Sequence, residues 1–496
     1  MNQGKTNNTI QTFWIFIGST LSLGFVIISS MILSRYFNKN DYGIYKQVMY
    51  VYNSLLVVFT LGIPKAYNYF LPRVKMNEAK KLIDKINLIL VASGFFMSLF
   101  IFLGAERISC LLNNPDLEIP LEYFSLVPLF LLPTMGLEGI LSTYKKSKYI
   151  AIYNTTTRIL MLICVTIPVV FFKGNVNTAI IGFTIASFVC FLISLYLKYL
   201  PVKNETKNET KIKYTEILSY TLPIMFAGLW GILISSTDQF FISRFFGNEV
   251  FADFANGSIE IPFVGMIISA SSIVIAPIFS KKVYENKEHS KNEIFILWQS
   301  VFSKSIKIIY PIVVFVFCFA DTIMVLMYGE NYIDSGKYFQ IKTSINFFTL
   351  IAYGPLMLAI GANRYYYNVH MYGALILILL QWLSIVIFNS PIIVALISAI
   401  CQLGRIFAML LFISKYFEIK LLDLFPIKLI LRITFPAFII VFLLKHIYSF
   451  FITNSIVLIL ISLISYVLLF SIWIILNKLD YYSILSPLIN KIIKRM

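Results

Sequence analysis

Residues 32–45 read ILSRYFNKNDYGIY, and residues 241–254 read FISRFFGNEVFADF. Set side by side, Ser34, Arg35 and Phe37 match Ser243, Arg244 and Phe246. Leu33/Ile242, Tyr36/Phe245, Tyr42/Phe251 and Tyr45/Phe254 are conservative pairs. Each stretch is a short turn between two long apolar runs, so each closes a helical hairpin. A weaker echo pairs two further hairpins. The runs 121–141 and 151–172, joined by Lys145, Lys146 and Lys148, parallel the runs 338–361 and 369–388, joined by Arg364. Turns that recur at the same place in their hairpins mark an internal repeat.

A helix that crosses a bilayer needs about 20 mostly apolar residues. The sequence predicts fourteen such spans: 11–34, 46–70, 86–105, 121–141, 151–172, 178–199, 217–242, 251–279, 308–328, 338–361, 369–388, 391–414, 428–446 and 454–476. The runs are too long and too uniform to alternate as strands, which excludes a β-barrel. The first run is longer than the apolar region of a signal peptide, and no small-x-small cleavage site follows it. The second repeat begins at the seventh span, so each half holds six spans and the halves share orientation. The expected fold is an all-α integral membrane protein with two six-helix bundles in parallel pseudo-repeat plus two C-terminal helices. The expected domains are residues 1–203, a cytoplasmic linker at 204–213 that contains NETKNET, residues 214–414, and residues 415–496.

Composition agrees. Of 496 residues, 58% are apolar and 13% charged, with 45 Phe. An ordinary soluble domain is about 25% charged, so a soluble enzyme, a disordered chain and a secreted disulfide scaffold are excluded. The net charge of +17 would suggest nucleic acid in a soluble protein. Here its placement gives another account. With the N-terminus cytoplasmic, inner segments hold 26 Lys/Arg, Lys198 among them, and outer loops hold seven, Lys445 among them. That asymmetry follows the positive-inside rule and predicts cytoplasmic N- and C-termini, with no nucleic-acid partner.

Familiar catalytic chemistry is missing. The histidines, His289, His370 and His446, lie far apart, and the five cysteines form no CxxC pair. No metal site, disulfide framework or catalytic base cluster is expected. GKT at 4–6 lacks the strand and first glycine of a phosphate loop. The chain is read as a non-enzyme with no bound cofactor. Transport would be driven by an ion gradient, the membrane potential or the substrate's own gradient. The sequons at Asn7, Asn154, Asn204 and Asn208 fall in cytoplasmic or membrane segments and are read as chance.

Eight basic residues remain after the inner segments and outer loops are counted, in or beside the expected spans: Lys46, Lys65, Arg158, Lys304, Lys307, Lys342, Arg405 and Arg432. A charge near mid-bilayer costs at least about 2.5–3.5 kcal/mol, so it faces a cavity or a partner. Lys46, Lys304, Lys307, Lys342 and Arg432 lie near span ends, where snorkelling to the headgroups accounts for them. Arg158 and Arg405 lie deeper. Basic residues in both halves (Lys46, Lys65, Arg158, Lys342, Arg405) suit a cationic cavity for an anion such as a phosphate. The competing reading pairs Arg158 with Glu138 and Arg405 with Glu260. Prolines at 64, 128, 133, 168, 223, 262, 277, 311 and 355 fall in the spans and would kink them.

The first hairpin, ILSRYFNKNDYGIY followed by LGIPKAYNYFLPR at 61–73, resembles the Wzx-type polysaccharide (O-antigen/capsule) flippases of the multidrug/oligosaccharidyl-lipid/polysaccharide exporter superfamily. Ser34, Arg35, Tyr36, Asp41, Tyr42, Gly43 and Tyr45 match the family's first turn. Leu61, Gly62, Pro64, Leu71, Pro72 and Arg73 match its later motifs, and Asp238 in SSTDQFFISRFFG matches its acid before the seventh turn. VFADF at 250–254 departs from the Gly-x-Tyr that the family tends to keep.

The resemblance implies alternating access by a V-shaped pair of bundles in the bacterial inner membrane. The implied substrate is an undecaprenyl-pyrophosphate-linked oligosaccharide, moved from the cytoplasmic to the outer leaflet for O-antigen, capsule or other surface polysaccharide, including that of lipopolysaccharide. Membrane lipids and polysaccharide polymerase machinery are the implied partners. The resemblance also implies coupling to H⁺ or Na⁺, with Asp238, Glu260 and Glu138 as candidate acids. A multidrug or lipid II exporter on the same fold is the nearest alternative. A membrane polysaccharide polymerase or ligase is a more distant one, because no large outer loop is present. A non-transporting scaffold leaves the intramembrane charges and the repeat unexplained.

Overall fold

Within a bilayer the backbone finds hydrogen-bond partners only in itself, so apolar runs of this length fold as helices. The computed structural model describes residues 8–285, 290–349 and 353–481, and no strand occurs among them. The GKT at 4–6, Asn7, His289 and the basic residues Lys5, Lys287, Lys491, Lys494 and Arg495 lie outside the described residues.

The chain runs through α1 (Asn8–Tyr36), α2 (Lys39–Thr60), α3 (Pro64–Phe70), α4 (Met76–Leu111), α5 (Glu118–Phe124), α6 (Val127–Leu131), α7 (Leu137–Thr143), α8 (Ser147–Phe172) and α9 (Val176–Tyr199). It continues through α10 (Tyr214–Gly257), α11 (Pro262–Glu285), α12 (Ser290–Cys318), α13 (Ala320–Tyr328), α14 (Ser335–Ser344), α15 (Asn346–Thr349) and α16 (Tyr353–Ala359). The last elements are α17 (Asn363–Phe388), α18 (Pro391–Phe417), α19 (Ile427–Phe451) and α20 (Ser455–Leu476). Among the described residues, twelve helical stretches are long and apolar enough to cross a membrane. The all-helical membrane fold is as expected, but the count of fourteen is not confirmed. The expected spans 251–279 and 338–361 are not among the twelve. The first is interrupted between Gly257 and Pro262, and the second is divided into α14, α15 and α16.

Contacts divide the chain into two compact units, Met1–Ala252 and Asp253–Met496. In the first, α1 lies along α8. At Gly18 the backbones meet so closely that a Cβ would fall 2.7 Å from the Ala151 Cα. Small residues at such crossings let membrane helices gain close packing. The two echoed turns meet in this unit. Gln47, fully buried, donates from Nε2 to Ser243 Oγ (2.8 Å) and Asn248 Oδ1 (2.9 Å) and accepts from Asn114 Nδ2 (2.5 Å). Asn248 Nδ2 donates to Asn40 Oδ1 at 2.9 Å. The turn within α10 falls at Gly247, whose φ of 82° suits a residue without Cβ.

Residues 204–210 are fastened to the amino-terminal end of α4. Lys81 pairs with Glu209 at 2.7 Å, and Lys207 pairs with Asp84. Asn208 N donates to Asn77 O at 2.9 Å, and Lys85 Nζ donates to Ile212 O at 3.1 Å. The Lys81 hydrogen bond holds the Glu209 carboxyl below the usual carboxylate range.

In the second unit, α19 packs on both α12 and α20. Tyr466 OH donates to Pro311 O at 3.0 Å. Lys445, counted from sequence as an outer-loop charge, donates to Cys318 O and Asp321 Oδ1, each at 2.7 Å.

Candidate functional site

The first unit holds a cavity of about 580 Å³ walled by α1, α2, the broken α6–α7 segment, α8 and α9. Three of the residues singled out from sequence, Lys46, Arg158 and Glu138, line it together. The local reasons differ. Helix α2 starts on Asn38, whose side chain accepts from Asp41 N at 2.7 Å, a capping bond that fixes where the helix begins. Lys46 then lies two turns in and donates to Ser30 Oγ at 3.3 Å. Arg158 comes from α8, seven residues beyond the Gly18–Ala151 crossing. Its Nε donates to Ser22 Oγ on α1 at 3.2 Å. Ser22 is one turn beyond Gly18, so the close crossing places the serine beside the arginine.

Glu138 arrives by way of a break. The fourth apolar run passes through α6 and a 3-10 turn at Leu132–Thr134, then an extended Met135 and a left-handed Gly136 with φ 79°. The ring of Tyr67 lies 2.3 Å from where a Gly136 Cβ would stand, so glycine is required there for both conformation and space. Helix α7 starts one residue later, and Glu138 Oε1 accepts from Asn154 Nδ2 at 2.8 Å. Among the described residues, Arg158 and Glu138 are not paired with each other. Each is bonded to a neutral group on a neighbouring helix.

The remaining wall is rich in hydroxyls and amides: Ser29, Asn53, Thr134 and Tyr153 all face the space. Two cations and one carboxylate among such groups leave the cavity with a net positive charge. Charge-assisted bonds to an anion are roughly twice as strong as neutral ones. The cavity is therefore suited to a ligand that carries phosphate or carboxylate together with hydroxyls.

The other candidates lie elsewhere. Lys65 follows Pro64 on the exposed face of α3 and does not line the cavity. Asp238 is on α10, half-buried, and accepts from Gln239 N at 2.9 Å. In the second unit, Glu260 stands in the interruption before α11, not within a continuous helix. It lies 4.0 Å from Lys342 on α14, and both line a cavity of about 210 Å³ with Asn346 and Gln402. Arg405 is 9% exposed. Its side chain runs across Gly373, where a Cβ would stand 2.4 Å from Arg405 Cδ. One terminal guanidinium nitrogen has no hydrogen-bond partner among the described residues. Among the described residues, no three His, Cys, Asp or Glu side chains gather as a metal site.

Sequence reasoning missed Lys198. Counted as a cytoplasmic charge at the end of the sixth span, it is fully buried on α9. Its Nζ donates to Pro133 O (2.5 Å), Met135 O (3.0 Å), Asn87 Oδ1 (3.0 Å) and Tyr67 OH (3.3 Å). The one local signal was Ser194, a second polar residue four positions earlier on the same helical face.

Comparison with known proteins matches residues 32–337 to the polysaccharide biosynthesis protein family. An uncharacterized membrane protein of Methanocaldococcus jannaschii is 23% identical over 290 residues, 54% of this chain and 67% of that one. Among solved structures, the lipid II flippase MurJ in an inward closed conformation superposes with a TM-score of 0.67 at 17% identity. The match covers 94% of this chain and 99% of that one. The Vibrio cholerae MATE transporter VcmN in its bent form gives 0.54 at 14% identity, covering 84% and 97%. A MOP superfamily transporter from Pyrococcus furiosus, described as having a binding pocket of reverse polarity, gives 0.55 at 13% identity, covering 82% and 94%.

Proposed function

We propose, from the premise that this chain belongs to the polysaccharide biosynthesis protein family, that it is a polysaccharide flippase of the MOP superfamily and that its cargo is an undecaprenyl-pyrophosphate-linked oligosaccharide. The observation that carries this reading is the cavity of the first unit, where Lys46 and Arg158 stand among serines, asparagines and tyrosines. The two cations would hold the pyrophosphate, while the hydroxyls and amides would exchange hydrogen bonds with the first sugars. Ligand pockets of about 300–1,000 Å³ hold drug-sized molecules. A cavity of about 580 Å³ therefore suits the headgroup and leaves the lipid tail and distal sugars outside.

In this reading the protein works in the bacterial inner membrane with both termini cytoplasmic. It carries the substrate to the outer leaflet by alternating access, catalyses no covalent step, and feeds polysaccharide polymerase machinery. Coupling would run through H⁺ or Na⁺, with Asp238, Glu260 and Glu138 as the acids to test. A cation exporter is disfavoured, because two basic groups against one acid would repel its cargo.

The test is deletion in the native host, followed by analysis of surface glycan and of lipid-linked intermediates. Loss of one polymer with accumulation of its lipid-linked repeat unit on the cytoplasmic side is the expected outcome. Accumulated lipid II with intact surface polymer would replace this cargo by the peptidoglycan precursor. Normal levels of both would overturn the reading.

A further inference from the structure

The break in the fourth apolar run leaves backbone groups without helical partners. Unpaired carbonyls in a water-poor interior are costly, and a broken membrane helix persists only where something else satisfies them. Here α9 supplies the donors. Lys198 Nζ reaches the carbonyls of Pro133 and Met135, and Ser194 Oγ reaches that of Thr134 at 3.5 Å. Both side chains are buried, Ser194 at 1% and Lys198 at 0% exposure. An ammonium has three N–H donors. Four oxygens surround this one, the other two coming from Asn87 and Tyr67. Tyr67 also supplies the ring that closes on Gly136. One lysine thus ties α3, α4 and α9 to the point where the fourth run turns.

We infer that Lys198 is a positioning residue for the cavity: it holds the break that places Thr134 and Glu138 on the cavity wall. This rests on the reading of that cavity as the substrate site. The logic is geometric. Gly136 redirects the chain, α7 restarts at Leu137, and Glu138 in its first turn meets Asn154, one turn before Arg158 on α8. Without the donors of Lys198, the freed carbonyls regain partners only by rewinding, which moves Thr134 and Glu138 relative to α8. Ser29, on α1, is not part of that segment and stays in place.

The experiment reads this difference in purified full-length protein in detergent. Thr134→Cys and Ser29→Cys are labelled with a hydrophilic maleimide, and the signal of the protein without the added cysteine is subtracted. Lys198→Met is expected to change the Thr134→Cys rate by about tenfold or more, the scale of one lost charge-assisted hydrogen bond. The Ser29→Cys rate should stay within about twofold of its parent, because surface effects away from such features are small. Lys198→Arg keeps the charge and the donors and should restore the Thr134→Cys rate most of the way. In cells, Lys198→Met should reduce the surface polymer while the protein remains in the membrane.

An unchanged Thr134→Cys rate overturns the inference, as does an equal change at both reporters. Absence of both Lys198→Met and Lys198→Gln from the membrane also overturns it, assigning the lysine to folding of the whole unit. A changed Thr134→Cys rate with normal polymer would uphold the positioning role and overturn the assignment of substrate to this cavity.

Discussion

Arg158 and Arg405 look alike in sequence: each is a lone guanidinium well inside an apolar run. In the first unit, Arg158 emerges beside Ser22 and shares an open cavity with Lys46. In the second, Arg405 is folded over Gly373, nearly sealed, with one nitrogen unpartnered among the described residues. Depth within a span sets what a charge costs. The neighbouring helix sets what becomes of it. Where that helix offers a hydroxyl at the edge of a cavity, the charge is available to a ligand. Where it offers a glycine, the aliphatic stem packs and the head is buried.

The sharpest way to break the comparison is Arg158→Ala. It should lower surface-polymer output roughly 10- to 100-fold, the range of one to two lost charged hydrogen bonds, with protein in the membrane unchanged by immunoblot. Arg405→Met probes the opposite case. Replacing a buried, incompletely bonded charge by an apolar side chain of similar length removes its desolvation penalty, so thermal unfolding in detergent should move up or stay. A marked fall would mean that the guanidinium is more fully satisfied than its surroundings indicate.

Glu138→Gln should cost only about two- to fivefold in polymer output, because the amide still accepts from Asn154 and one neutral hydrogen bond is worth about 1 kcal/mol. A total block would make the negative charge itself essential and favour the coupling role. Lys65→Ala should fall within about twofold of the parent in the same assay, as exposed positions usually do. A larger loss would bring α3 into the substrate path.

The parts of this molecule that were legible in sequence are those written locally. Apolar length announces the spans, and the Ser-Arg-x-Phe turns announce the repeat. Pro133 announces a kink in the fourth run. The partners were not legible, because they come from elsewhere in the chain. Lys198 ends a long apolar stretch, where a lysine ordinarily orients the helix. Only the fold brings Pro133 and Met135 to it, more than sixty residues away in sequence. Lys445 was likewise read as a loop charge, whereas it ties α19 to Asp321. The same limit applies to the cavity. Lys46, Arg158 and Glu138 could each be picked out, but periodicity could not tell that they share one space and Lys65 does not.

The attachment of α10 bears on how the gene can be taken apart. A cut at the polar segment 204–210 severs the chain between the two sequence repeats. Yet α10, downstream of that cut, is held to upstream residues through Ser243 and Asn248, and Tyr220 stacks on Tyr69 with ring centres 3.9 Å apart. Two fragments expressed separately from such a cut would not be strangers. The second would present a helix whose polar side chains already have addresses in the first. The segment that looks like the natural seam is thus a poor place to exchange halves between relatives, because a transplanted second half would arrive with a helix made for another first half.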